Sequence, residues 1–254
     1  MRFRKGLHVL LVIGALLVAS SLATADPIDP FNTRPVPIGP SSASGELTLQ
    51  QIMDTYIWTG TNVNTDQQTA GMWGLSTLVP YTFPVLVIEQ AGFAPNNTFG
   101  LWSGDPVLVD VFRGAATGVP NMTAATLSWG SSGLLTISGD CAKVNCVTNV
   151  AGINPYSFGW YIHTPEGNTF YSVDALNTDV VGGSPHVLAF SQPGYPSDWA
   201  FAFEDLAFPG TDHDYNDGVI HMESVQPVPE PATLTLLGTG LIGLAGLVRR
   251  KLKK

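Results

Sequence analysis

What most restricts the fold of this chain is a succession of short runs rich in β-branched and aromatic residues, each closed off by Gly, Pro, Asn or Asp. They fall at residues 83–90, 99–103, 107–113, 125–129, 134–138, 157–164, 169–173, 187–191, 199–204 and 218–223. Runs so short, so regularly punctuated and without helical patterns between them do not make βαβ units. They predict an all-β fold, an antiparallel β-sandwich of the jelly-roll kind. In Trp199-Ala200-Phe201-Ala202-Phe203 large residues alternate with Ala, so one face of that strand packs a core and the other crowds against something small. One short helix is expected ahead of the strands. Thr48 stands where a cap is needed, and Leu49, Ile52, Met53 and Tyr56 recur at the spacing of one buried helical face. A β-domain over 46–226 is long enough for a single two-layer core without a second domain.

The two ends of the chain are of a different kind. Arg2, Arg4 and Lys5 precede an apolar run over 7–19, and Ala23-Thr24-Ala25 offers the small residues that a signal peptidase reads, so 1–25 is expected to be a secretory signal peptide. Residues 26–45, rich in Pro and Ser, read as an extended linker. At the other end, 232–248 carry no charge and as a helix would extend roughly 25 Å, just enough to span a bilayer. Pro229 and Pro231 fix the start of that helix. The basic residues of 249–254, led by Arg249, Arg250 and Lys251, should stop on the cytoplasmic side and leave the preceding domain outside. Gly238, Gly240, Gly243 and Gly246 give the helix a small-residue stripe, which fits either a plain anchor or lateral helix packing.

Val-Pro-Glu-Pro at 228–231, the apolar run and Arg-Arg-Lys at 249–251, in that order, closely resemble the PEP-CTERM sorting signal of Gram-negative bacteria. The resemblance implies a membrane-anchored precursor that is recognised by an exosortase, cut near the motif and released or transferred to the cell surface. Pro229, Glu230 and Pro231 of the tail 228–254 are then another enzyme's substrate. A simple tail anchor accounts for the apolar run and the basic end but not for Pro-Glu-Pro.

Export changes the electrostatics. Of eleven basic residues, three lie in the signal peptide and five in the basic tail. Arg34, Arg113 and Lys143 therefore face nineteen carboxylates over 26–226, a net charge of −16 where the whole chain shows −9. Such a domain repels phosphate backbones and anionic headgroups, which excludes nucleic acid as a partner, and it invites cations. Cys141 and Cys146, the only cysteines, are expected to form a disulfide across a turn, since the compartment is oxidising and no further Cys or His pair completes a zinc set.

The candidate chemistry is concentrated between Glu204 and Asp217. Glu204, Asp205, Asp212, Asp214, Asn216 and Asp217 are hard oxygen donors, and alternating Asp212, Asp214 and Asn216 resemble the start of an EF-hand loop, with Glu223 at the twelfth position. The sixth position is Asp217 where that loop needs Gly, and the flanks read as strands. The EF-hand is rejected and Ca²⁺ kept as the expected ion, against the alternative of a solvated acidic turn.

Phe158-Gly159-Trp160-Tyr161, Phe203-Glu204-Asp205-Leu206 and Asp212-x-Asp214-Tyr215-Asn216-Asp217, within 157–223, look like domain of unknown function 4114. Upstream, Leu49 to Asp54, Phe99-Gly100-Leu101-Trp102 and Val111-Phe112-Arg113-Gly114 resemble the leading part of exported proteins with the same features. The resemblance implies a β-rich extracellular module with a Ca²⁺ site and no established activity. His163, His186, His213 and His221 fall in no catalytic or zinc spacing, and no Gly-x-Ser-x-Gly is present, so no enzyme is expected. Two readings stay open. One is a surface or matrix structural protein stiffened by Ca²⁺, with exopolysaccharide as a candidate partner. The other is a carbohydrate-binding module in which Trp73, Trp102, Trp129, Trp160 or Tyr195 stacks on sugar rings.

Overall fold

The computed structural model describes residues 34–40, 45–69, 71–76, 79–90, 96–104, 107–113 and 122–228. The expected signal peptide, the membrane segment 232–248, the motif Pro229, Glu230 and Pro231 and the basic cluster Arg249, Arg250 and Lys251 lie outside them. Among the described residues no helix is long and apolar enough to cross a membrane.

Helix α1 (Leu49–Ile52) begins at Thr48, whose hydroxyl accepts the Gln51 N–H while the Gln51 side chain accepts the Thr48 N–H. This reciprocal cap satisfies donors that a helix start leaves orphaned and stabilises it by about 1 kcal/mol. A π-helical turn (Met53–Ile57) follows, and Leu49, Ile52 and Met53 are buried.

Fifteen strands follow among the described residues. They are β1 (Gln68–Thr69), β2 (Trp73–Leu75), β3 (Tyr81–Thr82), β4 (Pro84–Glu89), β5 (Thr98–Ser103), β6 (Val107–Arg113), β7 (Thr123–Trp129), β8 (Leu135–Gly139), β9 (Val147–Val150), β10 (Gly159–His163), β11 (Thr169–Tyr171), β12 (Val187–Gln192), β13 (Tyr195–Phe203), β14 (Gly218–Glu223) and β15 (Val225–Pro227). A large sheet runs β1-β12-β13-β14-β4-β7-β8-β9 with β3 also on β7, a four-stranded sheet runs β11-β10-β5-β6, and β15 pairs with β2. The pairings are antiparallel, as the punctuated runs require.

The two larger sheets face each other across an aromatic core. Phe99 meets Phe203 edge-on with ring centroids 5.1 Å apart, and Trp73 packs in the same way on Trp199 and Phe201 at 4.6 and 4.8 Å. The expectation of a single two-layer core needs correction, because the large sheet is buried on both faces. Trp199, Phe201 and Phe203 enter the inter-sheet core, whereas Ala200 and Ala202 face a second core with Leu49, Ile52, Met53, Phe190 and Tyr215. The small residue that the alternation demanded makes room for α1 and the segments around it.

Residues 34–40, assigned by composition to a linker, also belong to the folded body. Val36 is buried, its N–H donates to Gln67 Oε1 at 2.8 Å, and Arg34 bonds both oxygens of Asp174 at 3.1 Å. Proline-rich composition does not prevent docking where one apolar side chain and one cation find partners. Phe99-Gly100 and Phe158-Gly159 both place a glycine opposite an aromatic residue. β5 and β10 are antiparallel neighbours in which Gly100 lies opposite Tyr161 and Gly159 opposite Trp102. A Cβ on Gly100 would sit 2.5 Å from the Tyr161 ring, and one on Gly159 2.2 Å from the Trp102 indole nitrogen, so each copy's glycine makes room for the other's aromatic.

Cys141 and Cys146 form a disulfide in the turn between β8 and β9, with Cα atoms 5.4 Å apart. That turn also bonds to β6, through the Arg113 N–H to Lys143 O at 3.1 Å and the Asn145 N–H to Val111 O at 2.9 Å. It thereby joins the margins of the two sheets.

Candidate metal centre

The acidic segment is the connection between two paired strands. Phe203 ends β13, Gly218 begins β14, and the two lie opposite each other, so Glu204 and Asp217 are brought together by the ladder itself. The Asp205 N–H donates to Asp217 Oδ2 at 2.8 Å and draws the next carboxylate in. Gly218 is required because a Cβ there would lie 2.4 Å from the Phe99 ring.

The far side of the loop turns through two left-handed residues, His213 at φ 60° and Tyr215 at φ 52°. Non-glycine residues adopt this conformation at a cost, and here packing holds it. The Tyr215 ring is wholly buried in the second core and its hydroxyl donates to Pro185 O at 2.7 Å. The docked N-terminal segment braces the same turn, with the Gly39 N–H on His213 O at 2.7 Å and no space for a Cβ on Gly39 beside Asp212 O. The Asn216 amide donates to Leu47 O at 3.0 Å.

These constraints gather all five predicted carboxylates. Glu204, Asp212 and Asp214 each offer an oxygen within 4.8 Å of the others, and so do Glu204, Asp205 and Asp217. Glu204 is fully buried, and Asp205, Asp214 and Asn216 are 2% exposed or less. Glu204 Oε1 accepts the Leu206 N–H at 3.3 Å, whereas Oε2, equally buried, has no hydrogen-bond partner. Burial pushes the Glu204 carboxyl well above the usual carboxylate range, against a hydrogen bond from the Thr211 side chain and with added repulsion from Asp212 and Asp214. Burial also lifts Asp205, although an Asn97 amide bond at 2.7 Å opposes the rise, and it lifts Asp217 with added repulsion from Glu204 and Asp205. A solvated turn would leave these groups in water. Their burial, their acceptor-only chemistry and the orphaned Glu204 oxygen fit a hard divalent cation, for which carboxylate oxygens at about 2.3–2.6 Å are the ordinary ligands.

Two buried neighbours of the cluster lie too far away in sequence to be read there. Glu89, the last residue of β4, sits opposite Gly218 and is 2% exposed. Burial raises its pKa to about 8; the nearby Asn97 backbone counters the rise and Asp205 adds to it. The only signal available was a carboxylate closing an otherwise apolar strand. The second is His186, stacked on Phe170 with ring centroids 3.6 Å apart, whose Nδ1 bonds Glu204 O at 3.0 Å and whose Nε2 bonds Asp179 Oδ2 at 2.8 Å. Against burial, bonds from His186, the Ser184 hydroxyl and the Phe208 N–H hold Asp179 well below the usual carboxylate range.

A further acidic group occupies the opposite end of β13. Asp198 lies across from Glu223, and His221, on the same face, bonds Asp198 through Nε2. The three offer ligand atoms within 4.8 Å of one another, but Glu223 is exposed and the other two are half-buried.

Comparison with characterised proteins supports the reading of the tail. Residues 227–251 match the family model described as the PEP-CTERM protein-sorting motif. The chain carries a PEP-CTERM sorting motif. That motif marks it as an exported, exosortase-sorted protein associated with the cell envelope. No curated protein and no solved structure matches the chain.

Proposed function

We propose that the exported part of this PEP-CTERM protein is a non-catalytic β-domain of the cell surface or extracellular matrix, held in its folded form by Ca²⁺ at the turn between β13 and β14. The observation that carries the reading is Glu204 Oε2, an unpartnered carboxylate oxygen with no solvent exposure, set among four further carboxylates. Such an arrangement is costly as charges alone and favourable around a cation. In the precursor, 232–248 hold the chain in the membrane, signal peptidase removes 1–25 and an exosortase cuts near Pro229, Glu230 and Pro231. Thermal melts of the full-length chain in detergent, with Ca²⁺ and with a chelator, test the ion, and coincident curves would remove it from the proposal. Replacing Pro229, Glu230 and Pro231 by Ala should abolish processing and surface delivery; unchanged delivery would remove the sorting step.

Carbohydrate binding, the second reading, keeps one foothold. Trp73, Trp102, Trp129 and Trp160 are all buried in the core and unavailable for stacking. Tyr195, 62% exposed, lines a cavity of about 530 Å³ with Gln192, Ser197, Asp198 and Glu223. An exposed ring beside hydroxyl-binding acceptors suits a sugar. Titration of the protein with the host's exopolysaccharide, compared with Tyr195→Ala, tests it, and equal binding by both would reject the cavity.

A further inference from the structure

We propose that the acidic turn holds two calcium ions, with the Glu204 carboxylate bridging them. The proposal rests on the calcium reading above and adds the number of ions and the residue that joins them. Oxygens on opposite sides of one Ca²⁺ stand about 4.6–5.2 Å apart, twice the metal–oxygen distance. The carboxylates satisfy that spacing as two trios, Glu204 with Asp212 and Asp214, and Glu204 with Asp205 and Asp217, rather than as one ring of five. Glu204 is the single member common to both.

Each trio has its own scaffold. Asp205 and Asp217 are fixed at the strand ends, by the Asn97 amide on Asp205 Oδ2 and the Asp205 N–H on Asp217 Oδ2. Asp212 and Asp214 belong to the left-handed turn, where Asp214 Oδ1 accepts the Asn216 N–H at 3.2 Å. Glu204 emerges from β13 between them. Its backbone is pinned by the Glu204 N–H on His186 O at 3.0 Å, and its side chain places one fully buried, unpartnered oxygen in the cluster. Asp212 Oδ1, on the other trio's side, is likewise buried without a hydrogen bond. One divalent ion would leave five clustered carboxylates with a net charge of −3, whereas two reduce it to −1. The chemistry is that of a hard divalent cation pair, since all the donors are oxygens.

Native mass spectrometry of the full-length chain released from detergent, after chelation and return of CaCl₂, counts the ions on the unaltered protein. Two bound ions are expected. Calorimetric titration of the variants then locates them: Asp212→Asn and Asp217→Asn should each retain one ion, and Glu204→Gln should lose both tight sites. A count of one, abolished equally by Asp212→Asn and Asp217→Asn, would overturn the bridge and leave the calcium reading standing. A count of zero would overturn both. If a variant fails to fold, the count on the unaltered protein still decides between one ion and two.

Discussion

The two ends of β13 carry the same kinds of side chain in opposite circumstances. At the Asp198 end, two carboxylates face each other across the ladder, with His221 bonded to one and water open to the other. At the Phe203 end, Glu204 and Asp217 also flank a ladder pair, but they are buried under a braced turn and one oxygen has no partner. A half-exposed, His-relieved pair needs nothing more. A buried cluster without a counter-charge needs protons or a metal. The two ends differ in burial and unmet hydrogen bonding rather than in the kind of side chain they carry.

Removing calcium is the strongest attack on that contrast. A ligand at a hundredfold excess over its dissociation constant stabilises the folded state by about 2.7 kcal/mol. At about 2–4 °C per kcal/mol for a domain of this size, chelation should lower the Tm by roughly 5–10 °C for each ion removed. Glu204→Gln should abolish this dependence in the same melts. Asp198→Asn should leave it intact and shift stability by less than about 1 kcal/mol, as expected for a half-exposed pair. Equal calcium responses in the two variants would erase the difference between the ends.

Reducing the disulfide serves as a control remote from both ends. Opening a closed loop this short should cost about 2 kcal/mol by loop entropy and lower the Tm without altering the increment that calcium adds.

The pH dependence of the chelated protein has a definite sign. Glu89 is raised from 4.5 to about 8, and Glu204, Asp205 and Asp217 are raised as well, so the metal-free fold favours their protonated forms. That stabilisation is complete below about pH 4 and is lost as pH rises towards about 8. Scanning calorimetry with chelator should therefore show the Tm falling across this range, and added calcium should flatten the fall. Asp179 acts in the opposite direction. Its depressed pKa contributes stability above the ordinary Asp value of 3.8 that is lost on acidification, so Asp179→Asn should weaken the acid-side dependence.

Ten of the fifteen described strands, the capped helix and the acidic turn were legible because each is written in neighbouring residues: alternation in 199–203, Thr48 with Gln51, Asp212 with Asp214 and Asn216. Glu89 and Asn97 join the turn only through the β4–β14 ladder and a contact with Asp205 more than a hundred residues later, which no local pattern encodes. The short strands β1, β2, β3 and β15 have two or three residues each and owe their form to partners rather than to propensity. The tryptophans were ambiguous for a related reason, since a ring that fills a core and a ring that stacks on a sugar are the same residue in sequence.

The last described hydrogen bond, the Val228 N–H on Met72 O at 2.8 Å, stands one residue before Pro229, Glu230 and Pro231. Just inside it, Pro227 lies opposite Trp73, whose ring is wedged against Trp199 and Phe201. Tension on the tail therefore enters the domain through a three-residue ladder rooted in its aromatic centre. A load applied at Val228 would reach Trp73 and its partners Trp199 and Phe201 through that ladder, and a cut beyond Val228 would leave the ladder in place.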